Sequence, residues 1–236
     1  MFNIIRKNIP NYITCLNILS GCAAIVFAFE NKLPVAAYLI VASAIIDFFD
    51  GFTARLLNAK SEMGKELDSL ADVVSFGVAP AAIMFRLMMN NNFSVEFELL
   101  PYLSFFIAVF SAWRLAKFNL DEKQADSFIG MPTPACALFI ASLSFLNQNT
   151  VFSWLFTNTS LLIITTILCV LLVSSLPLFS LKFKNIRWKG NEFRYSLIIL
   201  SFILLIIFQF PAVTLIVILY LVLSIIQNLV CTKKAQ

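Results

Sequence analysis

Four aspartates embedded in apolar sequence constrain this chain more than any other feature. Asp47 and Asp50 are three residues apart in the run Asp47-Phe-Phe-Asp50-Gly51, and Asp68 and Asp72 are four residues apart further along. An aspartate near the centre of a membrane-spanning helix opposes insertion by about 2.5 to 3.5 kcal/mol, so the first pair alone costs about 5 to 7 kcal/mol. A function must offset that cost.

Helical spacing brings the acids of each pair onto one face, because residues three and four positions apart are neighbours on a helix surface. Four carboxylates converge if the two helices pack side by side. The nearby basic residues Arg55, Lys60 and Lys65 are too few to neutralise them. We therefore predict that all four aspartates hold a divalent cation, Mg²⁺ or Mn²⁺, both of which suit oxygen ligands. The ion path of a transporter is the alternative for buried acids.

The composition is that of a membrane protein. Of 236 residues, 60% are hydrophobic and only 13% are charged. Apolar runs long enough to span a bilayer predict an all-α, polytopic helical bundle with about eight transmembrane helices. Their approximate bounds are 13–30, 33–57, 67–89, 99–119, 133–148, 159–181, 194–209 and 211–230. Only Gln209-Phe210-Pro211 separates the last two, which predicts a helical hairpin with a tight outer turn; one broken segment is the alternative.

Basic residues predict the orientation in the membrane. With a cytoplasmic N-terminus, fifteen of the 17 Lys and Arg residues lie inside, and only Lys32 and Arg86 lie outside. Both termini and the aspartate site are then cytoplasmic, and we expect an integral protein of the bacterial inner (cytoplasmic) membrane. The net charge of +4 reflects this bias and requires no nucleic-acid partner.

Two kinds of site are excluded by residue content. The chain has no histidine, which rules out a histidine zinc site and a Ser-His-Asp triad. Its five cysteines show no C-x-x-C spacing and are interpreted as small packing residues. We predict a single integral membrane domain over residues 1–236.

The residues from 47 to 72 follow the frame D-x2-D-G-x2-A-R-x8-G-x3-D-x3-D without a gap or substitution. This frame resembles the signature of the CDP-alcohol phosphatidyltransferases. The resemblance implies an integral membrane enzyme with a six-helix core, which uses divalent metal to cleave the pyrophosphate of a CDP-activated lipid. It also implies a homodimer. Two metal ions sharing the carboxylates are expected, and one ion remains possible.

The resemblance assigns the role of general base to the last aspartate of the frame, Asp72, which takes the proton of the acceptor hydroxyl. The alternative is that Asp72 only ligates metal. Both roles are compatible in one residue.

Small residues and one arginine complete the frame. Gly51, Ala54 and Gly64 let the backbone approach a nucleotide or a neighbouring helix, and plain helix packing is the alternative for Gly51 and Ala54. Arg55 lies four residues beyond Gly51, where its guanidinium suits a phosphate or an aspartate. A snorkelling arginine that sets topology is the alternative.

Polar residues also recur at the start of the first span, in the run Pro10-Asn11-Tyr-Ile-Thr14-Cys-Leu-Asn17. The three polar side chains share a broad helical face. A similar P-N-x2-T-x2-N run opens many enzymes of this family, which implies that Thr14 and Asn17 contact the nucleotide or its phosphates. N-capping is the alternative for Asn11.

Three further runs resemble the branch of the family that uses L-serine as acceptor. They begin at Asp72 with D-V-V-S-F-G-V-A-P, at Ser111 with S-A-W-R-L-A-K-F-N, and at Phe128 with F-I-G-M-P-T-P. The lysine of R-L-A-K and the methionine of G-M-P depart mildly from the usual pattern. The motif-bearing, catalytic part is thus residues 10–135, whereas the helices of 136–236 carry no recognisable motif.

The implied reaction transfers the phosphatidyl group of CDP-diacylglycerol to L-serine and releases CMP. Ser75, Arg114 and Lys117 are candidates for the acceptor site, although positive-inside topology also explains the two basic residues. A related transferase acting on glycerol 3-phosphate or an inositol phosphate is the alternative within the family. A cation-coupled transporter is the alternative outside it, but its expected inverted repeats are not seen.

Overall fold

The computed structural model describes residues 2–59, 61–91, 99–120, 128–147, 150–179, 188 and 191–234. The helices in these ranges are α1 (Phe2–Phe29), α2 (Leu33–Leu56), α3 (Glu62–Asp72), α4 (Ala79–Met89), α5 (Phe106–Leu120), α6 (Thr133–Leu146), α7 (Asn158–Val173), α8 (Glu192–Phe208) and α9 (Ala212–Lys234). A π-helical turn, Val73–Val78, joins α3 to α4, and 3₁₀ turns at Leu100–Phe105 and Thr150–Phe156 precede α5 and α7. The predicted all-α fold class is confirmed.

Long apolar helices make the chain a polytopic membrane protein. Five helical segments of the described ranges are long and apolar enough to cross a bilayer: Asn8–Phe29, Leu33–Leu56, Glu62–Met89, Leu100–Leu120 and Ala212–Val230. The helices α6 and α7 are apolar but shorter, with 14 and 16 residues. At 1.5 Å per residue they extend about 21 and 24 Å, less than the hydrocarbon thickness of about 30 Å. Eight complete crossings therefore stay a prediction.

The predicted span 159–181 extends beyond the end of the helix that forms it. The run 159–181 was expected to be helical throughout, but α7 ends at Val173 and Ser174 is extended, with ψ of 153°. Pro177 lies just beyond and begins a short strand. Proline lacks an N–H and disfavours helical backbone in the residue before it, here Leu176, so α7 does not continue to 181.

The first two helices form a tightly packed hairpin. Asn31, with φ of 63°, makes the turn between them. Ala24, Ala28, Ala36 and Ala37 are completely buried. Small side chains let membrane helices approach closely, so their backbones lie near each other along this pair.

A π-helical turn interrupts the third span directly after Asp72. The backbone N–H of Ala79 bonds to the carbonyl of Val74, five residues back. Pro80 follows, and because it has no N–H it cannot donate to the carbonyl four residues earlier. Insertions of this kind often accompany functional sites, since they rotate the side chains on either side.

The core of the bundle surrounds α4. Nearly every residue of this helix is buried. Ile83 and Met84 of α4, and Phe76 of the π-helical turn before it, are among the largest completely buried side chains of the bundle. Large apolar side chains such as Phe202 and Ile206 lie on the outside, with 66% and 67% of their surface exposed. The bundle thus presents an apolar surface to lipid.

The last two helices form a hairpin, as one of the two alternatives predicted. Gln209 turns the chain with φ of 55°. Leu197 of α8 and Tyr220 of α9 lie in one buried cluster with Leu178 and Phe179, far from that turn. The two helices are therefore antiparallel neighbours, and the hydroxyls of Ser142 and Thr214, 2.5 Å apart, join α9 to α6.

A short β ladder is an addition to the helical architecture. The strands β1 (Phe128–Ile129) and β2 (Pro177–Leu178) pair antiparallel, with Ile129 opposite Pro177. This ladder links the segment before α6 to the segment after α7.

Candidate functional site

Three of the four aspartates converge between α2 and α3. One carboxylate oxygen from each of Asp47, Asp50 and Asp68 lies within 4.8 Å of the others. The spacing along α2 places Asp47 and Asp50 on one face, and the packing of α3 against α1 brings Asp68 to that face. The predicted convergence of the two acidic pairs is therefore present for these three residues.

The fourth aspartate, Asp72, lies one helical turn beyond Asp68 at the end of α3. It lies within electrostatic range of the other three aspartates and of Arg114. Its Oδ1 is buried and has no hydrogen-bond partner among the described residues. An unpaired buried carboxylate oxygen costs about 1 to 3 kcal/mol or more, so it is a strong candidate to meet a ligand.

The acidic cluster is not neutralised by basic side chains in the described part of the chain, where no salt bridge reaches it. Arg55 donates from Nε to the carbonyl of Gly51 at 3.0 Å, and Lys65 donates to the carbonyl of Asn119 at 3.3 Å. A donor set of clustered carboxylate oxygens without cationic partners fits a hard divalent cation. The geometry thus agrees with metal binding at this cluster.

A cavity of about 550 Å³ opens beside the cluster. It is bounded by residues of α1, α2 and α3, and its wall includes Thr14, Asp50, Gly51, Ala54, Arg55, Gly64 and Asp68. All of these had been singled out from sequence. A volume of this size lies within the range of about 300 to 1,000 Å³ that is usual for small-molecule sites.

The two glycines of the frame have different surroundings. A Cβ built on Gly51 would meet no atom within 4 Å, so this position leaves open space beside the acids. A Cβ on Gly64 would lie 3.0 Å from Oδ1 of Asn11. Gly64 therefore lets the start of α3 pack against α1. Ser61 caps the N-terminus of α3, because its Oγ accepts a hydrogen bond from the N–H of Gly64 at 3.0 Å.

Thr14 and Asn17 occupy successive turns of α1. The Thr14 hydroxyl donates to Oδ2 of Asp50 at 2.7 Å. Asn17 is completely buried, and neither polar atom of its side chain has a partner among the described residues. Thr14 lines the cavity and Asn17 does not.

The three acceptor candidates lie in different environments. Ser75 is completely buried and donates to the carbonyl of Asn17 at 3.0 Å, so the structure shows its hydroxyl joining the π-helical turn to α1. Arg114 is 9% exposed, and its Nε has no partner in the described ranges. Lys117 is exposed one turn further along α5. Arg114 and Lys117 share a small cavity of about 20 Å³ with Ile129 and the end of α7.

Sequence reasoning missed part of the cavity wall. Ala59, Ser61, Glu62 and Lys65 also line it. Glu62 is exposed to solvent and forms part of the wall. Ser61, a helix-capping residue type three positions before Gly64, is the sequence signal that indicates the start of α3 beside the aspartates.

Comparison with known proteins agrees with the site geometry. The family model described as CDP-alcohol phosphatidyltransferase matches residues 7–173. A Helicobacter pylori protein named CDP-diacylglycerol–serine O-phosphatidyltransferase is 36% identical over 198 residues, covering 82% of this chain and 80% of the relative. Proteins of the same name from Bacillus subtilis and Methanocaldococcus jannaschii are 38% and 41% identical over 57% and 59% of this chain, which is 76% and 62% of those relatives. Because the match covers most of the chain and includes the whole acidic frame, this chain belongs to the CDP-alcohol phosphatidyltransferase family.

Proposed function

We propose that this chain transfers the phosphatidyl group of CDP-diacylglycerol to the hydroxyl of L-serine, giving phosphatidylserine and CMP. The observation that carries the proposal is the convergence of Asp47, Asp50 and Asp68 at the wall of a 550 Å³ cavity. Relatives covering up to 82% of the chain are named for this reaction. Family membership also sets aside the transporter interpretation.

In the proposed site, Asp47, Asp50, Asp68 and Asp72 hold divalent metal, Mg²⁺ or Mn²⁺, with two ions expected. A metal held there would supply positive charge to offset the negative charge of the pyrophosphate and of the departing CMP. Thr14 orients Asp50 through its 2.7 Å hydrogen bond. This bond leaves the other oxygen of Asp50 available as a ligand.

The cavity is the proposed binding site for the CDP part of the lipid. Gly51 and Ala54 leave room for the nucleotide beside the acids, and Gly64 keeps α3 close to α1. Arg55, at the rim, is exposed and reaches phosphate by leaving its contact with the Gly51 carbonyl. The Asn17 amide, which has no partner among the described residues, supplies a buried donor and acceptor one turn deeper than Thr14.

Asp72 is the proposed general base. Its buried, unpartnered Oδ1 accepts the proton of the serine hydroxyl while the serine oxygen bonds to the phosphorus of the phosphatidyl group. The bond from that phosphorus to the CMP oxygen breaks, and CMP leaves with the electron pair. Arg114, within electrostatic range of Asp72, receives the serine carboxylate, and Lys117 and Ser75 are the further candidates for the acceptor site.

The chain acts as one integral membrane domain over 1–236 in this proposal, with residues 10–135 catalytic. Both termini and the site face the cytoplasm at the bacterial inner membrane, as the distribution of basic residues indicates. The aspartates and Arg114 are reached from the same end of the bundle, where Asn119 Nδ2 donates to Ser69 Oγ at 2.8 Å. A homodimer is also proposed.

CMP release by the purified protein in detergent tests this function. The protein is supplied with CDP-diacylglycerol and Mg²⁺ or Mn²⁺, and with serine, glycerol 3-phosphate or an inositol phosphate as acceptor. We expect release that depends on serine and stops with EDTA. Release with another acceptor would keep the aspartate chemistry and contradict serine, and no release with any acceptor by folded protein would contradict the transfer reaction.

A further inference from the structure

The helix α9 is hydrogen-bonded to the main chain of β2 and of Phe179, the residue directly after β2. Tyr220 of α9 donates its hydroxyl to the carbonyl of Phe179 at 3.0 Å, and this tyrosine is only 9% exposed. Two turns further along, Asn228 donates from Nδ2 to the carbonyl of Pro177 at 2.5 Å. Two side chains of α9 therefore bind both ends of one three-residue segment, residues 177–179.

That segment in turn pairs with the chain before α6, with Phe128 opposite Leu178 and Ile129 opposite Pro177. The N–H of Gly130 bonds to the carbonyl of Leu176, and the N–H of Met131 bonds to the carbonyl of Leu171, both at 2.9 Å. Gly130 has φ of +75°, and a Cβ there would lie 2.8 Å from the carbonyl oxygen of Leu172. Glycine allows this close approach, so the chain at Gly130 packs directly against the backbone at the end of α7.

Arg114 lies against the surface made in this way. The small cavity that it lines with Lys117 is closed by Ile129, by Leu172 and by Ser174. Arg114 is buried, has no salt bridge in the described ranges and lies within electrostatic range of Asp72, and the residues of this wall enclose it on the side of the small cavity. Tyr220 also lies within electrostatic range of Arg114.

We propose that α9 positions the acceptor end of the site, with Tyr220 and Asn228 holding β2 and β1 as the wall that orients Arg114. This inference rests on the proposed function. It assigns a role to the helices of 136–236, which carry no motif. The cavity beside the aspartates is bounded by α1, α2 and α3, and none of its lining residues belongs to α9. A substitution at Tyr220 or Asn228 should therefore weaken the binding of serine and leave the binding of the CDP-lipid unchanged.

Steady-state kinetics of the full chain test this split. Tyr220→Phe and Asn228→Ala each remove one hydrogen bond, and we expect each to raise the apparent KM for serine about fivefold, with a larger rise in the double variant. The KM for CDP-diacylglycerol should stay within about twofold, which also reports that the aspartate site is intact. Tyr38→Phe and Asn90→Ala are matched controls, because they make the same changes at the opposite end of the bundle.

Hydrogen exchange gives a readout that does not depend on activity. The amides of Gly130 and Met131 are hydrogen-bonded, and we expect a peptide covering 128–135 to exchange about tenfold faster in the double variant. A peptide of α2 should be unchanged.

The outcomes separate the two proposals. If the wild-type protein releases no CMP with serine, the proposed function fails and this inference fails with it. If the wild type is active, the inference alone is overturned by an unchanged serine KM, by an equal rise in both KM values, or by unchanged exchange over 128–135. A serine effect of the same size in Tyr38→Phe or Asn90→Ala also overturns it.

Discussion

The Thr14 hydroxyl donates a 2.7 Å hydrogen bond to Oδ2 of Asp50, although 36 residues separate them in the chain. The same hydroxyl lies 3.0 Å from the carbonyl of Pro10, on its own helix. Thr14 thus joins the first helix to the acidic cluster. Hydrogen bonds to a charged group contribute about 1.5 to 3 kcal/mol, so the contact is strong enough to affect metal binding.

Thr14→Val keeps the shape of the side chain and removes the donor. We expect Mn²⁺ affinity to fall about 10- to 100-fold, the equivalent of about 1.5 to 3 kcal/mol. Thr14→Ser should keep most of the affinity because it retains the hydroxyl. Mn²⁺ binding measured by electron paramagnetic resonance reports the change, and Thr166→Val on the exposed face of α7 is the control. Equal affinity in Thr14→Val and wild type would contradict the orienting role.

Metal binding should stabilise the folded protein, since it offsets the repulsion of converging carboxylates. At a free concentration 100 times the dissociation constant, a ligand stabilises the folded state by about 2.7 kcal/mol. We expect Mn²⁺ to raise the melting temperature of the wild type in detergent and EDTA to reverse the rise. Asp50→Asn should show little response, and a full response in that variant would remove Asp50 from the ligand set.

Asp72→Asn tests the base against the ligand role. The amide cannot accept the serine proton, so turnover should fall by at least about 10²- to 10⁴-fold. Binding of CDP-diacylglycerol and of Mn²⁺ should remain measurable, because Asp47, Asp50 and Asp68 still converge. Loss of metal and lipid binding together with turnover would instead make Asp72 chiefly a ligand.

Arg114→Ala should raise the apparent KM for serine far more than that for CDP-diacylglycerol. A lost hydrogen-bonded charge pair costs about 1.5 to 3 kcal/mol, or about 10- to 100-fold in KM. Arg114→Lys keeps the positive charge but lacks the planar guanidinium, so its KM for serine should lie between those of the wild type and Arg114→Ala. Equal effects on both substrates would place Arg114 outside the serine site.

Gly21 and Gly51 should respond in opposite ways to alanine. A Cβ on Gly21 would lie 2.9 Å from Cα of Ser75, so Gly21→Ala forces α1 away from the π-helical turn and should destabilise the protein by about 1 to 3 kcal/mol. Gly51→Ala meets no described neighbour, and because alanine favours helix more than glycine does, it should leave the melting temperature unchanged or slightly raise it. It should weaken CDP-diacylglycerol binding, because the methyl group enters the cavity. Thermal melting and lipid binding measured on both variants check this contrast, and a reversed order would contradict the assigned surroundings.

Predictions from sequence succeeded where the physics is local. The spacing of Asp47 and Asp50 places both on one face of a helix whatever the rest of the chain does. The apolar runs predicted where helices lie, although α7 ends at Val173, before Pro177, and does not run on to 181. A role for Ser75 at the acceptor site stays a prediction, and its hydroxyl donates to the carbonyl of Asn17. The sequence offered no sign of that contact.

By itself, the sequence determined the membrane class of the chain, its helices and the acidic frame, since hydrophobicity and helical spacing act over short stretches. Only the tertiary structure decided that Thr14 reaches Asp50, that Ser75 reaches Asn17 and that α9 holds β2. The physical reason is that lipid and protein interior are both apolar, so hydrophobic patterning does not specify how a membrane helix is rotated. The rotation and depth of each helix depend instead on close packing and on hydrogen bonds between distant residues.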